Sequence, residues 1–174
     1  MAARAAAVSL LSLLASAAAG DWAVITGAST GIGRQLALEA AREGYNVVLT
    51  ARRAPLLQKL AAEIEAEHAV ATRVCAGCLT DAKFVERLRD AAPGSVSLLV
   101  ANAGCGMEGD AVAAPRARVR SMLELNVLST TQVCQLFAAD FVRVGRGRVL
   151  LVSSLTSAVP MPGGAAYAAS KSYV

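Results

Sequence analysis

Tyr167 and Lys171 stand four residues apart in Ala165-Ala166-Tyr167-Ala168-Ala169-Ser170-Lys171. The run is rich in helix formers, and on a helix this spacing puts phenol and ammonium on one face. A free tyrosine has a pKa of about 10 and holds its proton near neutrality. A neighbouring positive charge favours the phenolate and lowers that value. A phenol tuned in this way can act as a general acid or base. Taken alone, the pair reads equally as an accidental neighbour relationship on a helix surface. Its meaning depends on what the rest of the chain builds around it.

The rest of the chain alternates strands and helices. Trp22-Ala23-Val24-Ile25 is a short apolar run with a buried-strand pattern. It leads into the glycine loop Thr26-Gly27-Ala28-Ser29-Thr30-Gly31-Ile32-Gly33, and a helical pattern follows from Arg34 to Glu43. Strand, glycine loop and helix together form the context of a dinucleotide-binding turn. Glycine lets backbone approach a pyrophosphate, and the helix N-terminus offers N–H groups to it. The loop lacks the Lys-Ser/Thr ending of an NTPase loop, which disfavours ATP or GTP.

The second strand, Asn46 to Thr50, ends in Ala51-Arg52-Arg53. Folds that hold NAD often place an acid here for the ribose 2′-hydroxyl. Two guanidiniums suit a 2′-phosphate instead. The alternative is a pair of solvated loop arginines.

A helix spans Pro55 to His68, and the third strand is expected over Ala69 to Val74. A helix starts at Thr80-Asp81, and Val96 to Val100 is the fourth strand, ending in Ala101-Asn102-Ala103-Gly104. Pro115 to Val144 supports one long helix interrupted at Asn126. Arg148 to Val152, the fifth strand, delivers Ser153 and Ser154 to the carboxyl edge of the sheet, where doubly wound sheets bind ligands. The pattern implies a parallel α/β layer structure.

Composition excludes little. At 174 residues the chain is one domain or most of one, and its 55% apolar content is ample for a core. The net charge of +4 comes from scattered arginines. The densest basic run, Arg116-Ala117-Arg118-Val119-Arg120, has no interleaved aromatics and reads as a solvated helix face rather than a nucleic-acid surface. Cys75-Ala76-Gly77-Cys78 has metal spacing but no second pair, so reduced cysteines are expected and no metal. Residues 1–20 form an apolar extension with one Arg and no acid. It is readable as a signal peptide, a transit peptide, a short membrane anchor or an untargeted tail. Membrane association would run only through this segment. Location is open between the cytoplasm and an organelle or the endoplasmic reticulum.

The spaced motifs together resemble the short-chain dehydrogenase/reductase family from Asp21 onward. Thr26 to Gly33 is similar to the T-G-x-x-x-G-x-G loop of the ordinary shorter branch, and Asn102-Ala103-Gly104 to the N-A-G after the fourth strand. Asn126 resembles the helix asparagine. Ser154 precedes Tyr167 by thirteen residues, the usual spacing. Thr50 to Arg53, with the final residues, resembles NADP-dependent reductases. Trp22 to Gly27 also resembles the 3-ketoacyl-CoA and 17β-hydroxysteroid reductases.

This resemblance implies a Rossmann-type doubly wound sheet in strand order 3-2-1-4-5. It implies hydride transfer between NADP(H) and a small-molecule carbonyl or secondary alcohol. Ser154 would polarise the carbonyl, Tyr167 give or take the proton, and Lys171 tune Tyr167 and hold the nicotinamide ribose. Asn126 would hold a water in the proton path. Thr26, Gly27, Ser29, Thr30, Gly31, Ile32, Gly33, Arg52, Arg53, Asn102, Ala103 and Gly104, with Tyr167 and Lys171, would contact the cofactor.

Members of the family often pair through the Tyr167 helix and the long helix before it, so a homo-oligomer is expected. Cys78 stands where the family usually has an Asp near the adenine, and Ala101 where many members have a second Asn. Members also continue well beyond Lys171. Residues 21–174 therefore read as an incomplete NAD(P)-binding domain lacking its last strands. The chain alone is expected to be inactive and poorly stable, with Leu150 to Val152 on an open sheet edge. The alternative function is a truncated, non-catalytic NADP(H)-binding or interaction protein.

Overall fold

The computed structural model describes residues 20–93, 96–159 and 161–174. The segment read as a targeting extension, apart from Gly20, lies outside them. Among the described residues, no helix is long and apolar enough to cross a membrane.

Five strands form one sheet: β1 (Trp22–Thr26), β2 (Asn46–Ala51), β3 (Thr72–Ala76), β4 (Val96–Ala101) and β5 (Arg148–Leu151). All pairings are parallel, in the order β3-β2-β1-β4-β5. This is the doubly wound sheet expected from the sequence. Helices α1 (Gly31–Arg42), α2 (Ala54–Glu67) and α3 (Ala82–Ala91) connect the first four strands. Helix α4 (Arg116–Leu123) runs through a π-helical turn (Glu124–Ser129) into α5 (Thr130–Val144). A 3₁₀ turn (Leu155–Ser157) and α6 (Ala165–Tyr173) follow β5.

The central strands β1, β2 and β4 are largely apolar runs because both faces of the sheet are covered there. Ala23, Ile25, Val47, Leu49, Leu98 and Val100 pack with Leu36 of α1 and Leu57, Leu60 and Ile64 of α2. The alternate residues Val24, Val48 and Leu99 pack with Phe84 and Leu88 of α3 and with Val133 and Phe137 of α5. Each fully buried Leu or Phe stabilises the fold by about 1.5–3 kcal/mol relative to exposure. Far from the strands' carboxyl ends, Arg146 grips the buried Asp21 carboxylate with two 2.9 Å hydrogen bonds. Ser97 Oγ donates a third, also at 2.9 Å.

Most element ends shift by a residue or two, and two starts differ from expectation by three residues. The third strand starts at Thr72, not Ala69. Asn46 Oδ1 accepts from Ala71 N at 2.7 Å, and Glu65 Oε1 accepts from Thr72 N at 3.1 Å. These side chains hold the helix-to-strand connection, so pairing begins only where Thr72 meets Val47. Helix α1 starts at Gly31 rather than Arg34, because the end of the glycine loop is already its first turn. Strand β5 is an edge strand of the described sheet, and its Leu151 is 44% exposed.

Candidate active site

The strand order reverses at β1, which pairs with β2 on one side and β4 on the other. Ligands bind doubly wound sheets in the crevice at such a switch point. Here the crevice is a cleft of about 500 Å³. Gly27, Ser29 and Thr30 of the glycine loop, Arg52-Arg53, Cys78 to Thr80 and Ala103 to Cys105 line it, whereas Gly31, Ile32 and Gly33 are not among the lining residues.

Thr26 and Asn102 build the floor rather than the lining. Thr26 Oγ1 donates to Val100 O at 3.2 Å and accepts from Asn102 N and Ala103 N, both at 2.9 Å. Asn102 Nδ2 donates back to Thr26 O at 2.9 Å. The two strand ends are thereby clipped together, which explains why Gly27 and Gly33 must lack side chains. A Cβ on Gly27 would stand 2.9 Å from Ala103 Cα, and one on Gly33 2.5 Å from Gly27 O. Gly31 and Gly33 open α1, with the exposed Ile32 between them. No side chain caps this helix and its first turn holds no acid, so its positive end is not neutralised from within.

The arginine pair separates into two roles. Arg53 Nη2 donates to Ser29 Oγ and Thr30 Oγ1, both at 2.9 Å. It is thus fixed across the mouth of the glycine loop. Arg52 is exposed and also lines the cleft. Cys78 lines the same end, its Sγ 3.1 Å from Thr80 Oγ1. The cations, the glycine approach and the lack of a carboxylate at the end of β2 fit a nucleotide with an added ribose phosphate.

At the other end, Asn126 and Lys171 meet Gly104. Asn126 sits in the π-helical turn and is 1% exposed. Its Oδ1 accepts from Cys105 N at 2.9 Å, while Nδ2 donates to Cys105 O at 2.9 Å and to Ser170 Oγ at 3.0 Å. Lys171 is 6% exposed and its Nζ donates to Val152 O at 2.8 Å. A Cβ on Gly104 would lie 3.1 Å from Asn126 Oδ1 and 3.4 Å from Lys171 Nζ, so both polar ends face one glycine. Among the described residues no carboxylate forms an ion pair with Lys171. Burial therefore lowers its pKa, opposed by the nearby Cys105 thiol.

Ser154 and Tyr167 stand on the β5 side. Ser154 opens the 3₁₀ turn, where its Oγ accepts from Thr156 N at 3.3 Å and from Thr156 Oγ1 at 2.9 Å. Tyr167 lies one turn before Lys171 in α6, half-buried, and lines a second cavity with Met107, Arg118 and Met161. Ser170 Oγ donates to Tyr167 O at 2.7 Å while accepting from Asn126, which ties α6 to the π-helical turn. Ser153 Oγ donates to Lys171 O at 2.7 Å.

Against known proteins, the short chain dehydrogenase family profile matches residues 21–174. The chain belongs to the short-chain dehydrogenase family. It is 36% identical over 160 residues to a very-long-chain 3-oxoacyl-CoA reductase of Aspergillus clavatus, covering 89% of this chain and 46% of that one. An uncharacterized oxidoreductase of Myxococcus xanthus is 38% identical over 154 residues, covering 87% and 61%. Among solved structures, an alcohol dehydrogenase of the archaeon Thermococcus sibiricus, complexed with 5-hydroxy-NADP, superposes with a TM-score of 0.85 at 32% identity. That match covers 90% of this chain and 67% of the dehydrogenase. The chain thus spans about half the length of the Aspergillus reductase.

For a short-chain dehydrogenase, the supporting groups that sequence reasoning missed are Cys105, Ser170, Val152 and Thr156. Cys105 and Val152 act through backbone atoms, which no residue type announces. Ser170 had a sequence signal, being the neighbour of Lys171. Its hydroxyl is 3.0 Å from Asn126 across 44 positions of chain.

Proposed function

We propose that the protein is an NADP(H)-dependent oxidoreductase that interconverts a carbonyl compound and a secondary alcohol, with Tyr167 as the proton donor and acceptor. The observation that carries this reading is the buried Lys171 ammonium, one helical turn from Tyr167, held by a carbonyl oxygen and, among the described residues, by no carboxylate. A buried cation without a countercharge is costly to the fold, and catalysis gives it a purpose.

Each residue then has a task set by its surroundings. Ser154 accepts two hydrogen bonds from Thr156, leaving its own proton to donate to a substrate carbonyl. Tyr167 gives its phenolic proton to that oxygen as negative charge develops, with the Lys171 ammonium one helical turn away. Lys171 Nζ has two further N–H donors beyond the one given to Val152, suited to ribose hydroxyls. Asn126 Oδ1 keeps a lone pair facing Gly104, suited to a water that replenishes the proton. Bound NADPH supplies the hydride. Arg53 and Arg52 would hold its 2′-phosphate, and the glycine loop with the α1 N-terminus its pyrophosphate. The Thermococcus complex with 5-hydroxy-NADP supports the choice of cofactor, and the Aspergillus relative points to 3-oxoacyl thioesters as the first substrates to assay.

The test is NADPH consumption by the purified protein with acetoacetyl thioesters and neutral ketones. Reduction of at least one carbonyl with NADPH, and faster than with NADH, supports the reading. Tight NADPH binding without turnover of any carbonyl would favour a nucleotide-binding protein without catalysis.

A further inference from the structure

The cavity that holds Tyr167 has charge on it that the chemistry at Tyr167 does not use. Arg118 lines it, together with Met107, Met161 and Glu108. Nearby, Gly109 N donates to Gly163 O at 2.9 Å, joining the loop after β4 to the loop before α6. The cavity volume is about 500 Å³, room for more than a carbonyl and its two neighbours.

Arg118 belongs to the run Arg116-Ala117-Arg118-Val119-Arg120 that opens α4. Of these three, Arg120 is committed, its Nε 2.8 Å from Glu124 Oε1. Among the described residues, Arg116 and Arg118 form no ion pair, and both are exposed. The first turn of α4 contains no acid and Pro115 provides no side-chain cap. The unpaired Arg118 guanidinium and the uncapped start of its own helix therefore add positive potential at the cavity. Among the described residues lining the cavity the opposing group is Glu108, which is exposed and forms no ion pair with Arg118. The thioethers of Met107 and Met161 supply an adaptable apolar wall.

We infer that Arg118 reads a phosphate-bearing handle on the substrate, while the Met107–Met161 wall takes its apolar part. This rests on Tyr167 being the proton donor and adds the class of compound presented to it: a carbonyl carried on an anionic handle, not a free neutral ketone. Guanidinium suits the role because its planar fork meets phosphate oxygens two at a time.

The experiment compares acetoacetyl-CoA, which carries phosphates, with the uncharged acetoacetyl N-acetylcysteamine thioester. Turnover is measured for wild type, Arg118→Gln and Arg118→Glu. Binding of the unreactive butyryl-CoA is measured by calorimetry with NADPH present to fill the glycine-loop cleft. Losing a charged hydrogen-bond partner is expected to lower the kcat/KM ratio of CoA to neutral thioester about tenfold or more in Arg118→Glu, and less in Arg118→Gln. Butyryl-CoA affinity should fall in parallel. A ratio and an affinity both within about twofold of wild type would overturn the inference. If neither thioester is reduced by wild type, the reading of Tyr167 is wrong. Butyryl-CoA affinity then still decides the role of Arg118.

Discussion

Asn126 and Cys105 hold each other through a closed pair of hydrogen bonds. The asparagine Oδ1 accepts from Cys105 N and its Nδ2 donates to Cys105 O, each at 2.9 Å. The pair joins the loop after β4 to the π-helical turn, and the second bond from Nδ2 reaches Ser170 in α6. Asn126→Ala leaves the Cys105 backbone groups and the buried Ser170 hydroxyl without this partner. The expected cost is about 1–3 kcal/mol, or roughly 2–10 °C of melting temperature at this chain length. Calorimetry checks it. Asn126→Asp keeps the acceptor but loses both donors, so it should also destabilise. An Asp variant as stable as wild type would show that the Nδ2 bonds contribute nothing.

Arg52 and Arg53 are both exposed at the same cleft, and Arg53 is fixed there by Ser29 and Thr30. If the pair holds a 2′-phosphate, NADPH should bind more tightly than NADH by about 10–100-fold, the worth of a charged hydrogen-bond set. Arg53→Asp and Arg52→Asp should each narrow that gap, Arg53→Asp by more. Titration of both cofactors against the three proteins measures this. An unchanged preference in both variants would mean that the arginines are loop cations only.

Lys171 sets function against stability. Burial lowers its pKa in the fold below the ordinary lysine value of 10.5. The unfolded chain then binds the proton more tightly than the folded one. The charged side chain therefore penalises the fold fully below the folded-state pKa, and the penalty fades as pH rises toward 10.5. Lys171→Met should melt at or above the wild-type temperature near neutral pH, with the difference closing in alkali, while NADPH binding is lost. Melting curves across pH check the sign. A Met variant less stable at neutrality, with the gap widening in alkali, would contradict it.

The cysteines provide a footprint of the cleft. Cys105 is exposed and lines it, whereas burial raises the thiol pKa of both Cys75 and Cys134. Maleimide should therefore label Cys105 well before those two, and NADPH should slow it. Peptide mass spectrometry reads the order directly. Equal labelling with and without NADPH would place the cofactor elsewhere.

Much of this arrangement was legible in the chain itself. Trp22 to Gly33 announced strand, glycine loop and helix because the residues that permit close approach are glycines, and glycine has few other reasons to recur at that spacing. The interruption at Asn126 was readable because an amide on the inner face of an apolar helix needs partners. The partners themselves were not. The backbone of Cys105 and the carbonyl of Val152 carry no side-chain signature, and the clip between Thr26 and Asn102 joins residues 76 positions apart. The start of β3 was misplaced for a related reason. Residues 69–71 look like strand, but Asn46 and Glu65 engage the backbone beside them before the sheet does.

The central claim is that Tyr167 moves the proton. Replacing it with Phe keeps the ring and its packing and removes only the hydroxyl. The measurement is a single-turnover assay of NADPH oxidation with a carbonyl substrate, alongside NADPH affinity, for wild type and Tyr167→Phe. The account predicts a loss of at least about a hundredfold in the hydride-transfer rate, the scale of general acid catalysis, with NADPH affinity essentially retained. A Phe variant that still reduces the carbonyl at near the wild-type rate would show that the proton comes from another group.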